Sequence, residues 1–295
     1  MARHWFRGNL HTHTTNSDGD SPPDAVTAWY RDAGYDFLAL TDHDVLTHPD
    51  GLRDAAGPML LIRGEEVTSG HAHVNAFGIG ATIAPRFGVD VRDTLQQDID
   101  AIRAADGVPS LNHPNYVWQV SPRDLALLEN LALFEVWNGS TDVNNLGRPG
   151  RPALDEAWDI VLTMGRRLFG VATDDAHHFK TWGRPYSNPG RAWVVIRAEH
   201  CREGELLTQL EAGDFYATTG CELEDVSLDG DVIAIDIATR RDLHYTTRFI
   251  GAGGQLLDVQ HGASPRYRVT GHEGYVRARI DDSDGLSAWT QPRFL

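Results

Sequence analysis

Short apolar runs recur along the first two thirds of this chain, and each ends on histidine, aspartate or glutamate. Phe37-Leu38-Ala39-Leu40 leads into Thr41-Asp42-His43, and Met59-Leu60-Leu61-Ile62 into Gly64-Glu65-Glu66. Val108-Pro109-Ser110-Leu111 leads into Asn112-His113-Pro114, and Leu168-Phe169-Gly170-Val171-Ala172 into Asp174-Asp175-Ala176-His177-His178. A continuous apolar run of this length suits a strand buried on both faces of a parallel sheet. Helical stretches alternate with the runs. Ser21-Pro22-Pro23-Asp24 reads as a helix start, with Ala25, Val26, Trp29, Tyr30 and Ala33 at helical spacing and Gly34 as the stop. Further helices are predicted over residues 92–105, from Ser121-Pro122-Arg123-Asp124, over residues 152–164 and over residues 203–211, with strands at 133–138 and 192–196 between them. Strand and helix alternate some seven times, with polar clusters at the strand C-termini, where (β/α) barrels carry their chemistry. Ligand types contributed by most of the strands, rather than by two at a switch point, favour a closed or nearly closed barrel over an open doubly wound sheet.

The pattern changes near residue 222. Alternating segments at 231–237, 243–250, 267–270 and 275–280 are separated by turns rich in Gly and Asp, as expected for a small antiparallel β module. The expectation is an α/β protein: a barrel over 1–221 and a β module over 222–295, the latter without a motif that carries chemistry.

The first strand ends in Asn9-Leu10-His11-Thr12-His13, followed by Asn16-Ser17-Asp18-Gly19. Side chains alternate along a strand, so His11 and His13 project from one face, where two imidazoles suit a divalent metal. Asp18, beside a turn-forming glycine, can curl back as a hard oxygen ligand. Histidine pairs of this kind also occur on solvated strands, but here Asp42-His43, Glu65-Glu66, His71-Ala72-His73, His113 and Asp174 to His178 join the pair. The 26 basic and 42 acidic residues give a net charge of -16, which argues against long nucleic acids or membrane surfaces as partners and which bound cations would offset. Cys201 and Cys221 make no disulfide framework. The first residues lack the apolar run of a signal peptide, and no stretch approaches the roughly 20 apolar residues of a membrane span, so a cytoplasmic location is expected.

These motifs, in this order, resemble the PHP family, the polymerase and histidinol phosphatase superfamily of metal-dependent phosphoesterases. Within it the chain looks most like the branch that includes carbamate-hydrolysing members, on Leu10 to Thr15 with Ser17-Asp18-Gly19, Thr41-Asp42-His43, Glu66 and Gly70-His71-Ala72-His73-Val74-Asn75. The segment from Asp284 to Pro292 also looks like the end of such proteins. The resemblance covers roughly the first 200 residues and implies a distorted (β/α)7 barrel holding up to three divalent ions among Zn, Mn and Fe. His11, His13, Glu66 and Asp175 would form one site, with Glu66 bridging to a second held by His73 and His113, and Asp18, His43 and His177 the third. The family's Gly-x-Glu and Asp-x-His patterns select Glu66 over Glu65 and Asp175 over Asp174, and His71 remains a rival to His73.

Divalent ions lower the pKa of bound water from about 15.7 toward about 7, so no Ser or Cys nucleophile is required. The reaction expected is attack by a metal-bridging hydroxide on a small phosphate ester. Asp42 and His178 are expected to orient imidazoles or meet the leaving group, and Arg184, Arg191 and Asn138 to bind substrate. Trp118, Trp137 and Trp182 are candidates for a substrate wall. Hydrolysis of a carbamate, ester or amide on the same metals is the alternative. A non-catalytic metal-binding domain is the second alternative.

Overall fold

The segments that carry the polar motifs meet at one end of the strands, where Thr12 bridges Ala176 and His43 bridges Glu66. The structure, a computed structural model, describes residues 3–295; the first two residues of the expected barrel domain lie outside the described residues. In chain order the elements are β1 (His4–Asn9), α1 (Pro23–Asp32), β2 (Phe37–Ala39), α2 (Arg53–Ala56), β3 (Leu60–Ile62), β4 (Gly64–Ser69), β5 (Ala72–Phe77), α3 (Val91–Ala104), β6 (Val108–Leu111) and α4 (Pro122–Leu127). There follow β7 (Leu133–Asn138), α5 (Leu154–Thr163), β8 (Phe169–Thr173), β9 (Trp193–Ala198), α6 (Glu203–Ala212) and β10 (Phe215–Thr218). The caps are local: Ser121 and Asp124 close a reciprocal capping box on α4, and Asp90 accepts from the Asp93 amide at the start of α3. At α1 the cap position falls on Pro22, and the Ser21 hydroxyl bonds Asp20 instead.

The strands do not form one closed barrel. A ten-stranded sheet contains β3-β2-β1-β9-β10, and a separate five-stranded sheet runs β4-β5-β6-β7-β8. β9 pairs antiparallel with β1 from His4 to Gly8 and takes the edge that β8 would need to close a cylinder. The two sheets touch through single-residue bridges, Thr12 to Ala176 and His43 to Glu66. Both bridges lie among the polar motifs, and between the sheets apolar side chains from both, among them Phe37, Val108, Val171 and Phe215, form a shared core. β5 also departs from the parallel pattern, pairing antiparallel with β4 and β6.

The C-terminal strands are β11 (Leu223–Ser227), β12 (Val232–Ile237), β13 (Tyr245–Gly251), β14 (Gln255–His261), β15 (Arg266–Arg268), β16 (Tyr275–Asp282), β17 (Ser287–Thr290) and β18 (Arg293–Phe294). They pair antiparallel, as expected, but they do not stand apart. β17 adds to β10, so β16, β13 and β14 extend the ten-stranded sheet, while β11, β12 and β15 form a third sheet. A buried ion network fixes this extension to α5: Arg277, 1% exposed, reaches Asp159 at 2.6 Å and Asp155 at 2.7 Å, and Tyr275 donates to Asp159 at 2.7 Å. A guanidinium so buried is tolerated only because carboxylates and hydrogen bonds surround it. Trp158, Phe134 and Trp289 fill the apolar core alongside. No helix among the described residues is long and apolar enough to cross a membrane.

Candidate metal centre

β1 ends at Asn9, earlier than expected, and the segment that follows it, bridged at Thr12, delivers two imidazoles to the mouth. His11 and His13 are fully buried, with their Nε2 atoms 3.1 Å apart. Glu66 Oε2 lies 3.2 Å from His11 Nε2 and 3.3 Å from His13 Nε2, and Asp175 Oδ1 lies 3.3 and 3.2 Å from the same nitrogens. The two Nε2 atoms and Glu66 Oε2 are mutually 3.1–3.3 Å apart, close enough for one cation to reach all three at the roughly 2.0–2.2 Å of a metal bond to nitrogen or oxygen. Glu66 Oε2 is buried and accepts no hydrogen bond, although burial of an anionic oxygen demands compensation. The donor set and this orphaned oxygen fit a divalent cation.

Glu66 faces two ways. Its Oε1 meets His73 Nδ1 at 3.0 Å, His113 Nε2 at 3.3 Å and the Asn112 amide at 2.7 Å, while Oε2 also faces His43 Nδ1 at 3.1 Å. A third grouping surrounds Asp18, whose carboxylate lies 3.4 Å from His177 Nε2 and 3.6 Å from both His43 Nε2 and His13 Nδ1. All nine residues expected as ligands therefore meet in one cluster. Their neighbours point elsewhere: Glu65 accepts the Ile83 amide at 2.5 Å, Asp174 accepts the amides of Gly190, Arg191 and Ala192, and His71 is exposed near Tyr116.

Electrostatics follow from packing carboxylates and imidazoles together. Burial works to lower the His11 pKa, but Asp175, Glu66 and Glu135 outweigh it and hold the value well above the ordinary one. His13 is pushed down to about 4 by its burial and by His177. Burial opposes ionisation of Glu66 and Asp175 too, yet the surrounding histidines hold both well below the usual carboxylate range. His177 rises to about 9, against its burial, because Asp18 and Asp175 face it. Anionic oxygens thus converge where a cation would sit.

Two of these positions carry left-handed backbone, φ 24° at His113 and 49° at Asp175. Such conformations cost about 1–3 kcal/mol each in non-glycine residues. Both are held by amide bonds, His113 N–H to Glu135 Oε2 at 2.6 Å and Asp175 N–H to the His11 carbonyl at 2.9 Å.

Glu135 is the residue that sequence reasoning missed. Fully buried on β7, it accepts from His11 Nδ1 at 2.7 Å and Thr173 Oγ1 at 2.5 Å on one oxygen, and from His113 N and Asn138 Nδ2 on the other. Its bond to Nδ1 leaves the His11 Nε2 lone pair directed at the cluster. The available signal was a lone acid inside the apolar run Leu133-Phe134-Glu135-Val136.

The residues expected around the metals are used differently. Asn138 bonds Glu135 at 2.8 Å and Asp175 Oδ2 at 3.1 Å, so its amide is engaged in orienting carboxylates. Asp42 accepts from Thr14, Ser17 and Thr47, pinning the loop after His13, and contacts no imidazole directly. The His178 ring packs on Tyr186, with Nδ1 buried and unpartnered. Arg191 donates to the carbonyls of Gly139 and Gly183, each at 3.1 Å, and Arg184 lines a separate surface depression with Trp182. Trp118 lies beneath Arg148, Trp137 stacks on Trp289, and Trp182 packs on Trp29. The cavity over the cluster, about 130 Å³, is walled instead by Tyr116, Ser140, Asp142 and Val143 with the ligand residues, and no arginine or lysine lines it among the described residues.

No known family profile and no curated protein matches the sequence. Among solved structures, a two-domain protein from Bacteroides vulgatus, described as containing a predicted PHP-like metal-dependent phosphoesterase, matches 99% of this chain and 95% of its own, at 16% identity and a TM-score of 0.57. A protein from Bifidobacterium adolescentis described as a metal-dependent phosphoesterase matches 61% of this chain and 89% of its own, at 16% identity and a TM-score of 0.45. A lesion-specific endonuclease from Pyrococcus furiosus matches 71% of this chain and 56% of its own, at 12% identity and a TM-score of 0.47. The likeness to the Bacteroides protein is one of fold, and it runs through the C-terminal strands as well as the metal-bearing part.

Proposed function

On this PHP-like fold, we propose that the chain is a metal-dependent hydrolase acting on a small phosphate ester, with up to three divalent ions. The observation that carries the reading is the arrangement of Glu66, one oxygen among His11, His13 and His43 and the other between His73 and His113. A carboxylate so placed suits a bridge between two cations. Bound there, the ions would supply a water acidified toward neutral pH and positive charge for the substrate's oxygens. The chain's own groups hold the centre in place: Glu135 fixes His11, Asn138 fixes Asp175, and Asp42 fixes the loop that carries Asp18. Residues 222–295 are taken as a second unit that buttresses α5 and contributes no side chain to the cavity.

The lining without arginine or lysine keeps a second reading, hydrolysis of a carbamate, ester or amide, because a phosphate would find its countercharge in the metals alone. The acidity of the chain is the sole argument against nucleic acid, and one protein matched above is described as an endonuclease, so nucleic acid is kept as a substrate to assay. The test is a parallel assay of Mn- and Zn-loaded protein on an aryl phosphate, an aryl carbamate, an aryl ester and a short oligonucleotide. Dominant phosphate release that disappears in Asp175→Asn, with an unchanged circular dichroism spectrum, is expected. Dominant carbon-centre cleavage would replace the proposed reaction, and Asp175→Asn with full turnover would remove the site assignment.

A further inference from the structure

A second cavity, of about 310 Å³, lies at the N-terminal ends of β1 and β8, away from the metal centre. Arg3, Arg167, Arg197 and Arg293 line it, against Asp214 and Asp229. Asp214 is shared between Arg3 and Arg197, at 2.9 Å from Arg197 Nε. Arg167 instead lies over the Phe294 ring, 5.0 Å from its centroid, and Arg293 donates to the Gly230 carbonyl. Among the described residues neither pairs with a carboxylate. Surplus guanidinium charge is a local reversal of sign on a protein of net charge -16.

The walls are aromatic. Phe169 meets Phe294 edge-on at 6.2 Å, and Trp5 lies beneath Arg197 at 5.2 Å. Gly213, at φ 75°, brings backbone so close to Phe169 that a β-carbon would come within 2.4 Å of the ring, so this wall is built to a fixed shape. Flat apolar walls next to forked donors recognise a planar ring bearing an acid group, and the volume is at the lower end of organic-ligand pockets.

We propose that this cavity binds a small aromatic or heteroaromatic organic anion, its ring against Phe294 and its acid group held by Arg167 and Arg293. It is a site separate from the metal centre, reached from the opposite end of β1 and β8.

The test is calorimetric titration of metal-loaded protein with benzoate and with phenylphosphonate, which cannot be hydrolysed as a phosphate ester. A ringless anion, sulfate, serves as comparison. For at least one aromatic acid a binding event is expected that is stronger than for sulfate, weakened about tenfold or more in Arg167→Ala by loss of a charge-assisted contact, and retained in Glu66→Gln, which separates it from anion binding at the metals. Whichever acid binds more tightly identifies the carboxylate or the phosphonate type as the better ligand. Arg167 is exposed, so the substitution leaves the fold intact, checked by an unchanged melting temperature. Binding unchanged in Arg167→Ala, binding lost in Glu66→Gln, or no heat from either acid up to about 10 mM would overturn the proposal.

Discussion

Replacing Glu135 by glutamine keeps its shape and removes its charge, and the consequences follow from its four partners. All four donate: His11 Nδ1 and Thr173 Oγ1 to one oxygen, His113 N and Asn138 Nδ2 to the other. The new amide NH2 must therefore face donors on whichever side it lies. Facing His113 and Asn138, it meets a backbone N–H that cannot reverse. Facing His11 and Thr173, it is accommodated if the hydroxyl turns and His11 moves its proton from Nδ1 to Nε2. That second arrangement satisfies the hydrogen bonds but removes the Nε2 lone pair from the cluster, 3.1 Å from His13 Nε2. Loss of such an orienting partner costs about 10- to 100-fold in metal affinity, or about 1.4–2.8 kcal/mol. Competitive metal titration of Glu135→Gln against wild type, with metal counted by mass spectrometry, measures this directly. Equal affinity, with the variant folded, would refute the argument that Glu135 positions His11.

Glu66→Gln should release at least one metal equivalent and lower turnover by about 100-fold or more, since one neutral amide cannot serve both groupings; metal counting and steady-state kinetics check it. Arg184→Ala should leave KM unchanged and stability within about 0.5 kcal/mol, whereas Arg191→Ala should cost about 1–3 kcal/mol by denaturant unfolding, because it loses the carbonyls of Gly139 and Gly183. Glu273 is held down to about 2, against its burial, by the amides around Thr270. A carboxyl lowered on folding contributes stability that is complete above its unfolded pKa near 4.5 and fades as pH falls toward 2, so pH-dependent unfolding should show a shallower acid limb in Glu273→Gln. Chelation should raise hydrogen exchange at residues 11–14, 41–44 and 174–177 and leave β13 and β16 unchanged, because the cluster joins the two sheets at those segments.

Local chemistry was legible in the sequence to the extent that it is local. β6 spans Val108 to Leu111 as expected, and α3, α5 and α6 fall within two residues of their predicted limits, since caps and apolar periodicity fix such elements without help from the rest of the chain. The H-x-H alternation likewise placed His11 and His13 on one face. What escaped was non-local. Nothing near His4 to Gly8 announces that β9 will run antiparallel beside it, and nothing near Ser287 announces its pairing with β10, so neither the opened barrel nor the continuous sheet could be read. Arg191 was expected to hold substrate on residue type alone. Its guanidinium is committed to two loop carbonyls that a sequence does not bring together.

The opened barrel and the metal centre are linked by geometry. With β9 on the β1 edge, hydrogen bonding cannot hold β8 to β1 along their length, and the bridge at Thr12 and Ala176 supplies little more than one contact. Between β2 and β4 the bridge at His43 and Glu66 is equally slight. Side chains make the join instead. His11 and His13 from the β1 side face Glu66 from β4 and Asp175 from the end of β8, and Glu135 on β7 grips His11 directly. The left-handed backbone at His113 and Asp175 fits the same logic, because each turns a strand end inward at a point where its amide is bonded to a residue of the cluster or its support. Two sheets that scarcely share a ladder can therefore hold many polar side chains at one mouth, provided the charges there are balanced. Histidinium and carboxylate pairs balance them within the protein, and divalent cations would do so with stronger attraction to the same carboxylates.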